Sequence, residues 1–281
     1  MRTTTKQKIA FSVLFLSTLM VILPVVFVLG TIIKNGWQGI SWEFLTSMPR
    51  DGMRQGGIYP AIVGTVYLVS LSIVFSLPIG VMAAIYLNEY ARDNLLTRLI
   101  RLAIVNLAGV SSVVYGLFGL ALFVTFMKFG VSILSGALTL AIMNLPVIIT
   151  ASRESLANVP YQFREVSLSL GLSRWQTIRH SVLPFAIPGI LTGAILSLAR
   201  AAGETAPILF TVAAFYLPKL PASIFDQAMA LPYHLYIIST QIPNIAVKTR
   251  YATAMVLVGI SFTMNIFAVI IRSRLRKKKK W

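Results

Sequence analysis

Residues 58–87 read I-Y-P-A-I-V-G-T-V-Y-L-V-S-L-S-I-V-F-S-L-P-I-G-V-M-A-A-I-Y-L, a run without a single charged side chain. The hydrocarbon core of a bilayer is about 30 Å thick, and about 20 apolar residues in a helix cross it. This stretch is therefore long enough to span a membrane. Similar stretches recur along the chain, and they decide its fold class.

Four more uncharged runs reach spanning length: Ile9–Ile33, Leu102–Met127, Phe129–Ser152 and Tyr251–Ile271. A sixth run, Val182–Tyr216, is interrupted only by Arg200 and Glu204. With 57% apolar and 12% charged residues, the composition departs strongly from that of a soluble domain. The sequence predicts an all-α membrane protein with six transmembrane helices. We expect residues 1–57 to hold the first span and first external loop, 58–272 the main transmembrane domain, and 273–281 a basic cytoplasmic tail.

The basic residues are distributed unevenly between the two sides of such a protein. Of 25 lysines and arginines, 17 fall before the first span, after the last, or in the loops on the same side. Seven fall on the other side, and Arg200 lies within a span. Because cytoplasmic segments carry the excess of positive charge, both termini are expected in the cytoplasm. The formal charge of +17 does not predict nucleic-acid binding, since that requires a basic face on a soluble fold.

Two segments leave room for other topologies. Leu231–Val247 is apolar enough to suggest a seventh span, but prolines interrupt it and the basic tail would then be exported. We expect an external loop here, partly re-entrant.

The first span has the basic flank of a signal peptide, but it is about 25 residues long and lacks a clear cleavage site, so we expect it to remain attached.

Arg200 and Glu204 are charged residues within an otherwise apolar span. An arginine at the bilayer centre costs about 2.5–3.5 kcal/mol on insertion scales, which makes it a candidate functional residue. The pair is spaced to share one helix face, so a purely structural ion pair is the alternative interpretation. Pro207 has no N–H for the carbonyl of Gly203, which predicts a weak point in the helix at this position. Interrupted helices at membrane depth often bind solutes in transporters.

A polar segment that we expect in the cytoplasm, residues 153–184, contains residues that typically begin and end helices. Pro160 is typical of a first helical turn, and Gly171 of the left-handed position that ends a helix. Ser173 and Gln176 fit a capping box for a second helix, which predicts a helical hairpin. The first helix carries an apolar stripe, Phe163, Val166 and Leu170. The stripe is compatible with packing on the protein's own spans or with docking of another protein.

The segment E-V-S-L-S-L-G-L-S-R-W-Q-T-I-R-H-S-V-L-P, residues 165–184, resembles the EAA loop of ABC importer permeases. Glu165, Gly171 and the Leu183–Pro184 pair stand at the spacings of that motif. Val166 replaces its usual alanine, and Ser181 occupies the place where isoleucine is typical.

Five other segments resemble the phosphate branch of the same family, and they extend the resemblance over about residues 56–210: G-G-I-Y-P-A-I-V-G-T (56–65), I-Y-L-N-E-Y-A (85–91), N-L-P-V-I-I-T-A-S-R-E-S-L (144–156), P-G-I-L-T-G-A-I-L (188–196) and R-A-A-G-E-T-A-P (200–207).

The resemblance implies a type I ABC importer permease (MetI-like) architecture in a bacterial inner membrane, and a role in translocating inorganic phosphate into the cytoplasm. It implies four kinds of partner: a second permease subunit (PstC-like), two cytoplasmic ATPase subunits (PstB-like), an external phosphate-binding protein (PstS-like) and the lipid bilayer. The residues implied in the translocation path are Arg200, Glu204, Thr205 and Pro207. Those implied in ATPase coupling are Glu165, Val166, Ser167, Leu170 and Gly171.

The sequence lacks G-x-x-x-x-G-K-[ST], the loop that cradles nucleotide phosphates in many ATPases, so ATP hydrolysis is expected from partner subunits and no cofactor is expected on this chain. Cysteine is absent, and His180 and His234 fall on opposite sides of the predicted membrane, which disfavours a metal site or an intramembrane enzyme. A permease for another oxyanion or solute and a signalling scaffold remain the alternative functions.

Overall fold

The computed structural model describes residues 2–277, and the side chains within 7–274 except that of residue 268. The chain is almost entirely helical. Its α-helices are α1 Arg2–Gly36, α2 Trp42–Thr46, α3 Tyr59–Ile85, α4 Leu95–Ala108, α5 Ser112–Gly119, α6 Ile133–Ala157, α7 Gln162–Ser169, α8 Arg174–Thr177, α9 Leu183–Gly203, α10 Ala206–Thr211, α11 Leu231–Thr240 and α12 Val247–Lys277.

Short elements of other kinds connect or extend these helices. π-Helical turns follow α3, α5 and α8 directly: Tyr86–Tyr90, Leu120–Phe126 and Ile178–Val182. Two 3₁₀ turns, Trp37–Gly39 and Asp51–Met53, lie between α1 and α3. A two-residue hairpin pairs β1 Pro49–Arg50 with β2 Gln55–Gly56.

The described residues contain five helices long and apolar enough to cross a membrane, or six if α4 and α5 are counted as one broken span. The prediction of an all-α membrane protein is confirmed. α3, α6 and α9 form the centre, with α6 packed against both others, while α1 packs on α12 at the periphery. Close approach of α1 and α12 requires a small residue, because a Cβ on Gly36 would lie 2.7 Å from the carbonyl oxygen of Tyr251.

The prediction of a continuous third span, Leu102–Met127, is wrong. The chain bends by 104° between α4 and α5, so Leu102–Ala108 belong to a separate helix. Gly109 ends α4, and the Ser111 hydroxyl accepts a hydrogen bond from the N–H of Val113 to cap α5. In a continuous helix the backbone N–H groups at this point would bond to the preceding turn. At the break, side-chain capping supplies a hydrogen-bond partner instead, so the apolar segment tolerates the interruption.

The span predicted over Val182–Tyr216 is also interrupted. α9 ends at Gly203, Glu204 has extended backbone angles, and α10 begins at Ala206 with Pro207 in its first turn. Pro207 has the expected effect on the helix, because it cannot donate to the preceding turn. Glu204 lies just past the helix end, as the C-cap residue of α9, and the contact with Arg200 expected from their spacing forms there.

The segment suggested as a seventh span forms only the ten-residue α11. A helix of that length extends about 15 Å, half the thickness of the hydrocarbon core. Its start is held against α3, where the Thr65 hydroxyl accepts a 2.8 Å hydrogen bond from the N–H of Leu231. Of the predicted basic tail, residues 278–281 lie outside the described part of the chain.

Candidate translocation and coupling sites

Arg200 is in the last turn of α9, next to the break before α10. Its Nε donates to Oε1 of Glu204 at 3.2 Å, the one ion pair that the described residues form at this break. The Arg200 side chain is 34% exposed and that of Glu204 is 17% exposed. Within the described residues, the two terminal guanidinium nitrogens make no hydrogen bond. They are available to another acceptor, and a guanidinium suits planar contact with oxyanions.

The segment after the break is held firmly by α5. A Cβ on Gly116 would lie 2.7 Å from Cδ2 of Phe210 and 3.0 Å from the carbonyl oxygen of Ala206, so glycine is what permits this approach. Pro207 is buried in the same contact, and Thr205 precedes α10 without capping it through its side chain. Arg200 therefore lies in the last helical turn before a two-residue connection, Glu204 and Thr205, between two packed elements.

The predicted cytoplasmic hairpin is present. α7 ends before Gly171, which has a φ of +82°, and a Cβ there would meet no atom within 4 Å. The requirement for glycine is therefore one of backbone conformation alone. Ser173 and Gln176 form the predicted capping box, with Ser173 N–H donating to Oε1 of Gln176 at 2.8 Å and Gln176 N–H to Oγ of Ser173 at 3.3 Å.

The apolar stripe of α7 divides between two environments. Phe163 packs inward, with its ring centroid 4.8 Å from that of Phe185. Val166 and Leu170 are 60% and 76% exposed. The two interpretations of the stripe thus apply to different residues, since one end anchors the helix and the other presents apolar surface.

Ser167 has an unexpected environment for a residue expected to contact an ATPase. It is buried, and its Oγ lies 2.6 Å from Oγ of Ser181 while donating to the carbonyl of Phe163. Ser181 is the residue that replaces the usual isoleucine of the motif. The serine therefore has a structural counterpart on α7, and the contact joins the two arms of the hairpin.

A buried ion pair attaches α7 to the end of the second span, and the sequence did not single it out. Arg164 binds Glu89 through two hydrogen bonds, Nε to Oε2 at 3.0 Å and Nη2 to Oε1 at 2.7 Å. The side chains are only 13% and 9% exposed. Arg164 also donates to the carbonyl oxygens of Leu156 and Val159, at 3.0 and 2.9 Å. The end of α6, helix α7 and the end of the second span are thereby joined at one guanidinium.

The described residues do not bring candidate metal ligands together. They contain no group of three or more histidine, aspartate or glutamate side chains placed to hold a metal ion. His234 is buried in α11, and burial lowers its pKa to about 4. His180 is exposed on the hairpin that follows α7, with Nδ1 3.0 Å from the carbonyl oxygen of Gln176.

A family model described as "Binding-protein-dependent transport system inner membrane component" matches residues 76–278. The chain belongs to this family. The matched region includes α9, the break at Glu204 and the whole cytoplasmic hairpin. The family resemblance seen in the EAA loop is thereby confirmed, and the protein is a multi-pass membrane permease of the ABC importer class.

Two relatives match most of the chain. "Probable ABC transporter permease protein YqgI" of Bacillus subtilis is 33% identical over 261 residues, which cover 88% of each protein. "Phosphate transport system permease protein PstA 1" of Mycobacterium tuberculosis H37Rv is 33% identical over 272 residues, covering 95% of this chain and 87% of the relative.

A solved structure extends the likeness to the fold. It is a bacterial alginate ABC transporter in complex with an alginate pentasaccharide-bound periplasmic protein. Its matching chain is 13% identical and superposes with a TM-score of 0.71 over 96% of both chains. At this identity the match shows the fold alone, and it confirms the expected permease architecture.

Proposed function

We propose that this chain is a permease subunit of an ATP-driven importer that translocates inorganic phosphate into the cytoplasm. The observation that carries the choice of phosphate is the similarity to PstA 1 over 95% of the chain. The chemistry at the break between α9 and α10 supports it. A partly exposed guanidinium with two open nitrogens offers an oxyanion forked, charged donors.

The geometry suggests how Arg200 attracts phosphate without trapping it. A guanidinium in a site of low dielectric binds an anion strongly, so an unopposed charge would retain it. Glu204 partly neutralises that charge through one contact, and it sits on an extended connection outside the helix. A small movement of α10 relative to α9 changes the separation of the two side chains, and with it the attraction for the anion. Thr205 and Pro207 shape this connection.

The chain supplies the path, and its partners supply the energy and the substrate. We assign ATP hydrolysis to two cytoplasmic subunits, which dock on Glu165, Val166 and Leu170, three exposed residues of the segment predicted for coupling. Ser167 and Gly171 hold that surface in place from within the hairpin. A second permease subunit completes the path, and an external binding protein delivers phosphate. Both termini lie in the cytoplasm of a bacterial cell.

The proposal is tested by purifying the chain with its co-expressed partners in liposomes and measuring ATP hydrolysis. We expect hydrolysis to rise when phosphate-loaded binding protein is added, and to stay at the basal rate when sulfate replaces phosphate. Equal stimulation by sulfate would favour the alternative, a permease for another oxyanion. Stimulation by neither anion would refute an oxyanion substrate.

A further inference from the structure

Four buried polar side chains of the central helices make no hydrogen bond within the described part of the chain: Ser152 of α6, two turns toward the hairpin, and three others that lie nearer Arg200. Ser76 of α3, Asn144 of α6 and Ser197 of α9 are each 0% exposed. The hydroxyl oxygens of both serines, and both amide atoms of Asn144, make no hydrogen bond within the described part of the chain. Buried polar groups in folded proteins are normally paired with protein, water or ligand, so each of these groups calls for an explanation.

The register of α3 on α6 places the first two groups at one level. The helices are parallel, and two close contacts fix their alignment: Gly80 of α3 packs on Ile148 of α6, and Leu68 of α3 packs on Gly136 of α6. In each contact the α6 residue is 68 positions later in the sequence. The same offset sets Ser76 opposite Asn144. Asn144 is near the middle of α6.

The alignment of α9 on α6 shows where Ser197 and Arg200 lie along α6. These helices run antiparallel, again fixed by two close contacts: Gly193 on Ala151 and Gly189 on Ser155. One turn beyond Gly193 on the same face lies Ser197, and continuing the antiparallel register brings Arg200 to the level of Asn144. Ser76, Asn144 and Ser197 therefore form a polar layer about one helical turn thick across the three central helices, at the level of Arg200.

We propose that Ser76, Asn144 and Ser197 form a second oxyanion site, which opens when the central helices separate during transport and receives the anion that Arg200 attracts. This inference rests on the proposed function. The serine hydroxyls and the Asn144 amide nitrogen donate to oxyanion oxygens. The site carries no charge, so it holds the anion more weakly than a guanidinium does and allows release.

The acceptor atom of Asn144 gives the site a means of selection. Inorganic phosphate retains at least one P–OH group near neutral pH, and that hydroxyl can donate to Oδ1 of Asn144. Sulfate carries no proton at that pH and leaves the amide oxygen unpaired. A site built to hydrogen-bond a substrate hydroxyl strongly rejects an analogue that lacks it.

Cysteine accessibility tests whether the layer opens to the anion. The chain has no native cysteine, so Ser76→Cys and Ser197→Cys each introduce a single thiol of similar size into this chain. In the liposome-reconstituted complex with cysteine-free partners, we expect a small anionic thiol reagent to react with both variants during ATP turnover. Phosphate should slow the reaction at least about threefold, and sulfate should not. Thr253→Cys is the control, since Thr253 is equally buried but its hydroxyl is bonded to the carbonyl of Thr249.

Asn144→Leu tests the role of the amide, because leucine has similar volume but neither donor nor acceptor. We expect phosphate uptake to fall at least tenfold while the thermal midpoint is unchanged or higher, since an unpaired buried amide has been removed. Thr139→Val, which removes a buried but bonded hydroxyl from the same helix, should leave uptake unchanged.

The outcomes separate this inference from the function on which it rests. A wild-type complex that takes up no phosphate refutes the proposed function. A wild-type complex that takes up phosphate, while the Ser76→Cys and Ser197→Cys variants never react or react equally with and without phosphate, refutes only the second site. Asn144→Leu with wild-type uptake refutes it as well.

Discussion

At the scale of single residues, the two partly or largely buried ion pairs differ in how completely their charges are paired. Arg164 and Glu89 form two short hydrogen bonds in a largely buried setting, whereas Arg200 and Glu204 share one contact and are partly exposed. The first arrangement suits a fixed connection between α7 and the second span, and the second suits a contact that can change at the end of α9. The sequence predicted Arg200 because a charge interrupts an apolar run. It did not reveal the other pair, whose members are 75 residues apart and become neighbours only in the fold.

Glu89→Gln is expected to destabilise the protein through the charge left on Arg164. Breaking a buried pair by removing one partner typically costs about 3–5 kcal/mol. The purified variant should therefore unfold at a clearly lower midpoint temperature, and coupling of ATP hydrolysis to uptake should weaken. Asp93→Asn is the matched control, because Asp93 and Arg98 are about two-thirds exposed and 3.9 Å apart, a setting worth about 0–1 kcal/mol. Equal midpoints for the two variants would contradict the assigned connection.

His234 is expected to make the protein less stable in acid. Burial lowers its pKa to about 4, below the value of about 6.5 for an exposed histidine, so the folded state resists a proton that the unfolded state accepts. Its contribution to stability is complete above pH 6.5 and is lost by about 1.4 kcal/mol per pH unit as the pH falls toward 4. His234→Gln should flatten the dependence of the unfolding midpoint on pH over that window, while His180→Gln at an exposed position should not. An unchanged slope in His234→Gln would show that other groups control the acid response.

At the scale of elements, the residues that begin, end or cap helices were more informative than hydropathy. Pro160, Gly171, Ser173 and Gln176 predicted the cytoplasmic hairpin, because each has a conformational or capping preference that acts locally. Hydropathy alone merged α4 and α5 into one span, since an apolar helix bent by 104° has the same composition as a straight one. Gly109 and Ser111 are the end and cap residues that would have indicated this break.

Gly171→Val is expected to misplace the coupling helix without removing any contact. The position has a φ of +82° and open space around it, so the penalty is the cost of a left-handed backbone, about 1–2 kcal/mol for a residue with a Cβ. The variant should insert normally but bind its ATPase subunits less well, as measured by copurification. Gly171→Asn should retain more binding, because asparagine tolerates this conformation better. Gly259→Ala, at an open glycine with ordinary backbone angles, should have no effect. Normal copurification of the valine variant would show that the turn does not align the helix.

At the scale of the whole molecule, packing and charge together define the orientation that we expect. α3, α6 and α9 surround the polar layer, and 17 of the 25 basic residues fall on the side that holds the coupling hairpin. The sequence predicted the approximate positions of the five long spans, because each is set by length and composition. It could not show that Ser76, Asn144, Ser197 and Arg200 lie within about one helical turn of each other, since helix register depends on close contacts between distant segments.

Reporter fusions test the orientation. We expect fusions at the C-terminus and within residues 153–181 to report a cytoplasmic location, and fusions within residues 34–57 and 217–250 an external one. Lysine and arginine in short loops dominate orientation, so neutralising the basic residues of the tail should reduce the fraction correctly oriented. An external C-terminal reporter in the unaltered chain would contradict the proposed topology.

Uptake of labelled phosphate by cells that lack other phosphate importers tests the central claim most directly. The arms are the wild-type complex, Arg200→Lys, Arg200→Gln and the double variant Arg200→Leu with Glu204→Leu, compared at equal membrane abundance and with ATPase subunits bound. If Arg200 serves the anion path, lysine should retain partial uptake because it keeps the charge but loses the fork, and the glutamine and double variants should transport no phosphate. The double variant leaves no unpaired charge, so it should still fold and assemble. Phosphate uptake near the wild-type rate by that double variant would show that the pair is structural and would contradict the proposed path.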